Sequence, residues 1–284
     1  MISTKLTDTK RITGSRADRY WDGGHKNSGK YMRFRSPVRK LPKGFSDISD
    51  LYDQQKVLNY FSLDGFEYGN WLSNDDRFNF LYGCFVSLLD IQDLTGIKPV
   101  GFGIYSIAFG ARGVPGAKAH FEPFPGVINL TKEHGLNSLA HEYGHLLDHF
   151  FGAFIDQDKE SQYLSFGRSA GYGVAKKSAF RKNSLRALMQ ELIQSIVLDE
   201  KGNSSSYYKR LTKYSKTDYT TRATEIFART FEQWVTYKLN AKGVSNRYLS
   251  KHKYENWNYL KPDEFKKALP KMNALIKAMA IKAK

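Results

Sequence analysis

The stretch LAHEYGHLLDHFF, residues 139–151, constrains this chain more than any other. It sets His141, His145, His149, Glu142 and Asp148 into a run that is otherwise mostly apolar. On an α-helix, positions i and i+4 lie one above the other, about 40° apart around the axis. His141 and His145 therefore project from one face and can share one ion. Leu139, Tyr143, Leu146, Leu147 and Phe150 fill the opposite side, so only the histidine stripe is polar. Zinc takes imidazole nitrogen readily and keeps an open position when the protein gives only three ligands. Glu142 lies beside the pair, placed to take a proton from an attacking water and pass it to a leaving amine. That is the H-E-x-x-H logic of metallopeptidases. The bland reading is a capped or solvent-facing histidine pair.

Zinc needs a third protein ligand. No further histidine follows at the close H-E-x-x-H-x-x-G-x-x-H spacing, so a later helix is expected to supply it. Glu191 in LMQELIQSIV is one candidate. The other is TEIFARTFEQWV, where Glu225, Arg229 and Glu232 form one polar stripe and Ile226, Phe227, Phe231, Trp234 and Val235 fill the other side. If this helix lines the same cleft, Glu225 completes the metal site and Arg229 pairs with Asp148. Equally, Glu225 and Arg229 can form an exposed i,i+4 ion pair. The residue pattern leaves that choice open. His149 has no glutamate placed as Glu142 is for His141, so it is expected beside the site or at the surface. Asp148 is about 10 Å of helical rise beyond His141, too far to share its ion. It is expected to brace a neighbouring helix or orient a ligand.

Elsewhere the chain reads as mainly helical. SDISDLYDQQKVLNYF offers Ser/Asp caps and a short helix. WLSNDDRFNFLYGCFVSLLDIQDLTGI predicts a long buried helix starting near Asn74/Asp75 and ending near Gly96. SIAFGARG reads as a strand closed by a glycine turn, and AKAHFEP-FPG-VINLT as a β-hairpin. Helices are predicted at roughly 182–199, 221–240 and 263–282, with a Gly/Ser-rich loop before them. The expectation is an α+β fold with a small antiparallel sheet next to the helix that carries His141. Residues 1–45 read as a basic, partly extended arm, and 46–284 as one principal domain with a basic helical end.

Composition narrows the classes. No apolar run approaches the roughly 18 residues a membrane span needs, and the first residues lack the apolar core of a secretory signal. The single cysteine, Cys84 in FLYGCFVSLL, excludes an internal disulfide and reads as a small buried residue. A reducing, cytoplasmic-type compartment is expected, or a particle assembled in one. The net charge of +16 is uneven: residues 1–45 hold 12 Lys/Arg against 3 Asp, and residues 236–284 hold 12 against 3 Asp/Glu. Two basic ends suggest a polyanion, nucleic acid above all. The competing reading is a solvated lysine face on the last helix.

The chain resembles the zincin-type metallopeptidase-like domain of the large polyvalent proteins of bacteriophages and conjugative elements. FEYGNWLSNDDRFNFLYGCFVSLLDI, IAFGARGVPGAKAHFEPFPGVINLTKEHGLNSLAHEYGHLLDH and TEIFARTFEQWVTYKL carry the resemblance, with RYLS and YLKPDEFKKALPKMNALI as weaker matches. It implies a gluzincin-like fold and a Zn²⁺ site. The family's Glu-x-x-Ala-Arg-x-Phe-Glu segment falls on Glu225, Ala228, Arg229, Phe231 and Glu232, which makes Glu225 the third ligand. Tyr143 stands where the family usually carries Trp, and family members normally lie inside very long multidomain chains. The implied function is hydrolysis of a protein or peptide substrate in the cytoplasm of a bacterial host, or on a virion. Glu142 would act as general base and then acid, Tyr172 or Tyr219 as a second oxyanion donor. VINLT, read as an edge strand, would pair with an extended substrate. The alternative is a non-catalytic nucleic-acid-associated or virion protein on the same fold, with basic arms tracking phosphates. An intact Glu142 favours catalysis, because a purely structural site has no use for it.

Overall fold

The computed structural model describes residues 39–70, 72, 74–112, 118–131, 135–156, 161–165 and 180–284. Most of the expected N-terminal arm, residues 1–38, lies outside them. None of the described helices is long and apolar enough to cross a membrane. The chain divides into two compact units: one runs to Glu142 and adds Leu239–Ser250, the other comprises Tyr143–Lys238 and Lys251–Lys284.

The first unit opens with a 3-10 turn, Ile48–Tyr52, and helix α1, Gln54–Phe61. The Asp47 carboxylate accepts from Ser49 N, and that of Asp53 from Lys56 N, so both starts are capped as the sequence suggests. Strand β1 (Gly65–Tyr68), helix α2 (Asn74–Thr95) and strands β2 (Ser106–Phe109), β3 (Ala119–Glu122) and β4 (Val127–Leu130) follow. The sheet order is β1-β2-β4-β3. β1/β2 and β2/β4 pair in parallel, and only the β3–β4 hairpin is antiparallel.

This corrects the antiparallel sheet expected from sequence. β1 and β2 are separated by α2, and such a crossover returns the chain in its original direction. The four residues of β1 are too few for periodicity to reveal. VINLT is also not an edge: β4 lies between β2 and β3, and its four residues are all buried. A continuous apolar run marks a strand covered on both faces. The antiparallel edge belongs to β3, which is half-buried along its length.

Helix α2 lies on this sheet. Phe80 meets Phe109 at 5.6 Å between ring centroids, and Phe109 stacks on Tyr68 at 5.3 Å. Cys84, Phe85, Leu88 and Ile91 are buried along the same helix, so Cys84 is the core residue its sequence context implies. In the β3–β4 turn Gly126 has φ +83°, and a Cβ there would sit 2.8 Å from Ile104 O. Both facts demand glycine.

Arg112 ties the sheet together. Its guanidinium donates to both oxygens of Glu67 on β1, at 2.7 and 3.2 Å, and to Glu122 on β3 at 2.6 Å. Its backbone N–H donates to Asn129 Oδ1 on β4 at 3.0 Å. Glu67 is only 4% exposed, so removing its partner would leave a buried charge uncompensated. Arg112→Met is expected to cost about 3–5 kcal/mol, read as a fall in the urea midpoint. A loss below about 1 kcal/mol would show that solvent or another cation replaces Arg112.

The second unit is helical. α3 (Leu139–Phe150) runs through the division between the units and ends in a π turn, Phe151–Ile155. Helices α4 (Leu185–Val197), α5 (Ser206–Tyr214), α6 (Ala223–Ala241) and α7 (Pro262–Lys282) follow. Three match the helices read from sequence, while α5 was not expected. Trp234 on α6 donates from Nε1 to Asn273 Oδ1 on α7 at 2.8 Å.

Candidate metal centre

The start of α3 is set within the first unit. An α-helix leaves its first N–H groups without intrahelical acceptors. Here Asn137 N donates to Tyr248 O at 3.1 Å and Ala140 N to Leu249 O at 2.9 Å. That acceptor segment is itself held. Asn246 accepts from Tyr248 N and Leu249 N, both at 3.1 Å, and donates to Asp90 at 2.8 Å. The RYLS stretch thus anchors the turn that carries His141 and Glu142.

Further along α3 the chain meets α6 inside the second unit. A Cβ on Gly144 would lie 3.0 Å from Ala228 Cα, tighter than most real contacts. Glycine in a helix interior costs about 1 kcal/mol relative to alanine. What it permits here is close approach of two helix backbones. Tyr143 and Phe231 pack beside that contact, with ring centroids 6.2 Å apart. Glu225, one turn before Ala228, then reaches His145, with Nε2 and Oε1 3.2 Å apart.

His141 lies one turn earlier on α3, so the continuous helix alone fixes its spacing from His145. One ligand atom each from His141, His145 and Glu225 lies within 4.8 Å of the others. Tetrahedral zinc at bond lengths of 2.0–2.2 Å places ligand atoms about 3.4 Å apart. The 3.2 Å pair meets that spacing, and the 4.8 Å limit for the set leaves only small rotamer adjustments. Two imidazoles and one carboxylate also form a donor set that zinc accepts while keeping a position open. The residues present therefore fit the ion. Glu142 is 6% exposed on the turn between the two histidines.

The other expected residues fall elsewhere. Glu191 is exposed on α4 and pairs with Lys271 at 2.8 Å. His149 is not at the surface. It is buried between Phe154 and Tyr163, at 5.8 and 5.6 Å, and burial lowers its pKa. Asp148 does not pair with Arg229. Its carboxylate accepts from Ser165 N and Oγ, both at 2.7 Å. Burial pushes its pKa up to about 6, against the pull of those hydrogen bonds and of the His145 and Arg186 charges. Arg229 donates instead to Thr220 O, beside the start of α6. Glu232 accepts from Tyr259 OH at 3.0 Å.

The reason for the mismatch is a segment whose fold the sequence does not advertise. Residues 161–165 present backbone groups that need partners. Asp148 takes Ser165 N, while Arg186 donates to Ser161 O and Tyr163 O at 3.3 and 3.1 Å and to Asp156 at 2.8 Å. Arg186, wholly buried, is the residue that sequence reasoning missed; its place on the apolar side of a predicted helix was the available signal. Tyr172 lies outside the described residues. Tyr219 opens the 3-10 turn Tyr219–Thr221 and is half exposed, with the Arg222 guanidinium 5.7 Å from its ring.

Residues 211–283 match the family model of large polyvalent protein-associated domain 1. The matched quarter of the chain contains α6 with Glu225 and all of α7, and lies wholly after α3. It is thus similar to a domain associated with large polyvalent proteins. No curated protein and no solved structure matches the chain.

Proposed function

We propose that the chain is a zinc-dependent peptidase of zincin type, with His141, His145 and Glu225 as ligands and Glu142 as the proton-transfer group. The observation that carries the reading is the meeting of two imidazoles and a buried carboxylate, with Glu142 on the turn between the histidines. When bound, zinc would supply Lewis acidity toward the scissile carbonyl and make water nucleophilic near neutral pH. Glu142 takes the proton of the attacking water and returns it to the departing amine, so a single carboxylate serves as base and then as acid. Glu225 neutralises part of the charge gathered at the site and holds His145 in orientation. An extended substrate would add to the outer side of β3, the antiparallel edge of the sheet, through main-chain hydrogen bonds. The likeness of residues 211–283 to a polyvalent-protein domain supports a mobile-element setting; action in the bacterial cytoplasm is part of the proposal.

The test is metal content together with turnover. The purified chain should hold about one zinc and cleave casein or host-lysate protein. A chelator should abolish cleavage, and added zinc should restore it. Stoichiometric zinc without cleavage of either substrate would sink the peptidase reading and leave a structural metal site.

A further inference from the structure

Helix α5 and the loop after α6 build a surface that the metal centre does not use. Residues 205–217 hold four Lys/Arg and no Asp or Glu. Among them Lys209, Lys213 and Lys216 are exposed. Tyr214 and Trp257 also stand at the surface, 53% and 37% exposed, with ring centroids 5.9 Å apart. The Lys213 ammonium lies 5.3 Å from the Tyr214 ring centre.

This aromatic pair is held in place by other residues. Arg210 donates to Trp257 O and Tyr259 O, both at 3.0 Å, and grips Glu264 through two hydrogen bonds of 2.9 and 2.7 Å. Tyr207 OH donates to Asn258 O at 3.0 Å. Tyr207 and Leu211 are themselves buried and supply the packing beneath α5. The loop is thus held by hydrogen bonds from Arg210 and Tyr207, and about half of Tyr214 and a third of Trp257 stay open to solvent. Large exposed rings on a rigid support, bordered by lysines, match the chemistry of unpaired nucleotides. Bases stack on the rings while ammonium groups meet the phosphates. A duplex hides its base faces, so the rings would add nothing to duplex binding.

We propose that Tyr214 and Trp257, bordered by Lys209, Lys213 and Lys216, form a docking surface for single-stranded nucleic acid. It is independent of the peptidase reading, and it places the contact on α5 and the loop of Trp257 rather than on the N-terminal arm or the lysine face of α7.

The test is anisotropy of a labelled oligo-dT of about 20 nucleotides with the full chain, repeated across salt concentrations. Tyr214→Ala and Trp257→Ala should each weaken binding about tenfold or more, since stacking on an aromatic is worth that much per base. Trp257→Phe should recover most of the loss, which separates stacking from misfolding. Lys213→Gln and Lys216→Gln should each flatten the log–log salt slope by about 0.7. A duplex of equal length should be indifferent to the ring substitutions. Ring variants that bind oligo-dT as tightly as wild type would overturn the proposal and assign the affinity to the N-terminal arm or the lysines of α7. Absence of binding at low salt would overturn it as well.

Discussion

Glu142→Gln is expected to stop cleavage while leaving zinc in place. The amide has the size and shape of the carboxylate, so the packing of a side chain that is only 6% exposed is kept. What it loses is the ability to take a proton. General base catalysis by one positioned group contributes about 10²–10⁴-fold, so kcat on a fluorogenic peptide should fall by that factor. Zinc stoichiometry should stay at the wild-type value, because the proposed ligands are His141, His145 and Glu225, the group whose donor atoms lie together, and Glu142 is not among them. His141→Ala should behave differently and lose metal and turnover together. A Glu142→Gln chain that kept more than a tenth of wild-type kcat would remove Glu142 from the chemistry.

The contrast between those two variants reflects how the site is encoded. Everything on α3 is local: helical periodicity alone puts His141, Glu142 and His145 on one side of an apolar helix. Recognition of α4, α6 and α7 rests on the same ground, long segments with a strong period. The distance between Glu225 and His145 is not local. It depends on Gly144 meeting Ala228, a contact that no spacing along the chain announces. From the residues alone Glu191 and Glu225 both stood as candidates, and the resemblance favoured Glu225. Burial separates them, with Glu191 turned to Lys271 at the surface and Glu225 turned inward.

The failures have the same origin. Two polar stripes of like spacing suggested Arg229 against Asp148, but stripes do not reveal what backbone lies between them. Ser165 offers an N–H to Asp148, and Thr220 offers a carbonyl to Arg229, so each side chain satisfies a nearer main-chain group. β1 was missed because four residues carry no readable period, and with it went the direction of the sheet. α5 was missed because it is only nine residues long and its buried face rests on two residues, Tyr207 and Leu211.

Glu225→Ala should lose zinc, and Glu191→Ala should not. Glu225 supplies the only carboxylate in the three-residue group and lies 3.2 Å from His145 Nε2. Without it two imidazoles remain, too few for a stable site of this kind. Mutating even a residue that merely supports a ligand costs about 10–100-fold in metal affinity, so removal of a ligand should cost at least about 100-fold. Competition against a chromophoric chelator reads that directly. Thermal melts give a second readout, because a ligand bound only by the native state stabilises it by about 2.7 kcal/mol at 100 times its Kd. Added zinc should raise the Tm of wild type and of Glu191→Ala, and leave Glu225→Ala unmoved. Glu225→Gln distinguishes the ligand from the cavity: it fills the space, lacks the charge, and should bind zinc nearly as poorly as alanine does. Wild-type zinc affinity in both Glu225 variants would assign the third ligand to another residue and detach α6 from the metal centre.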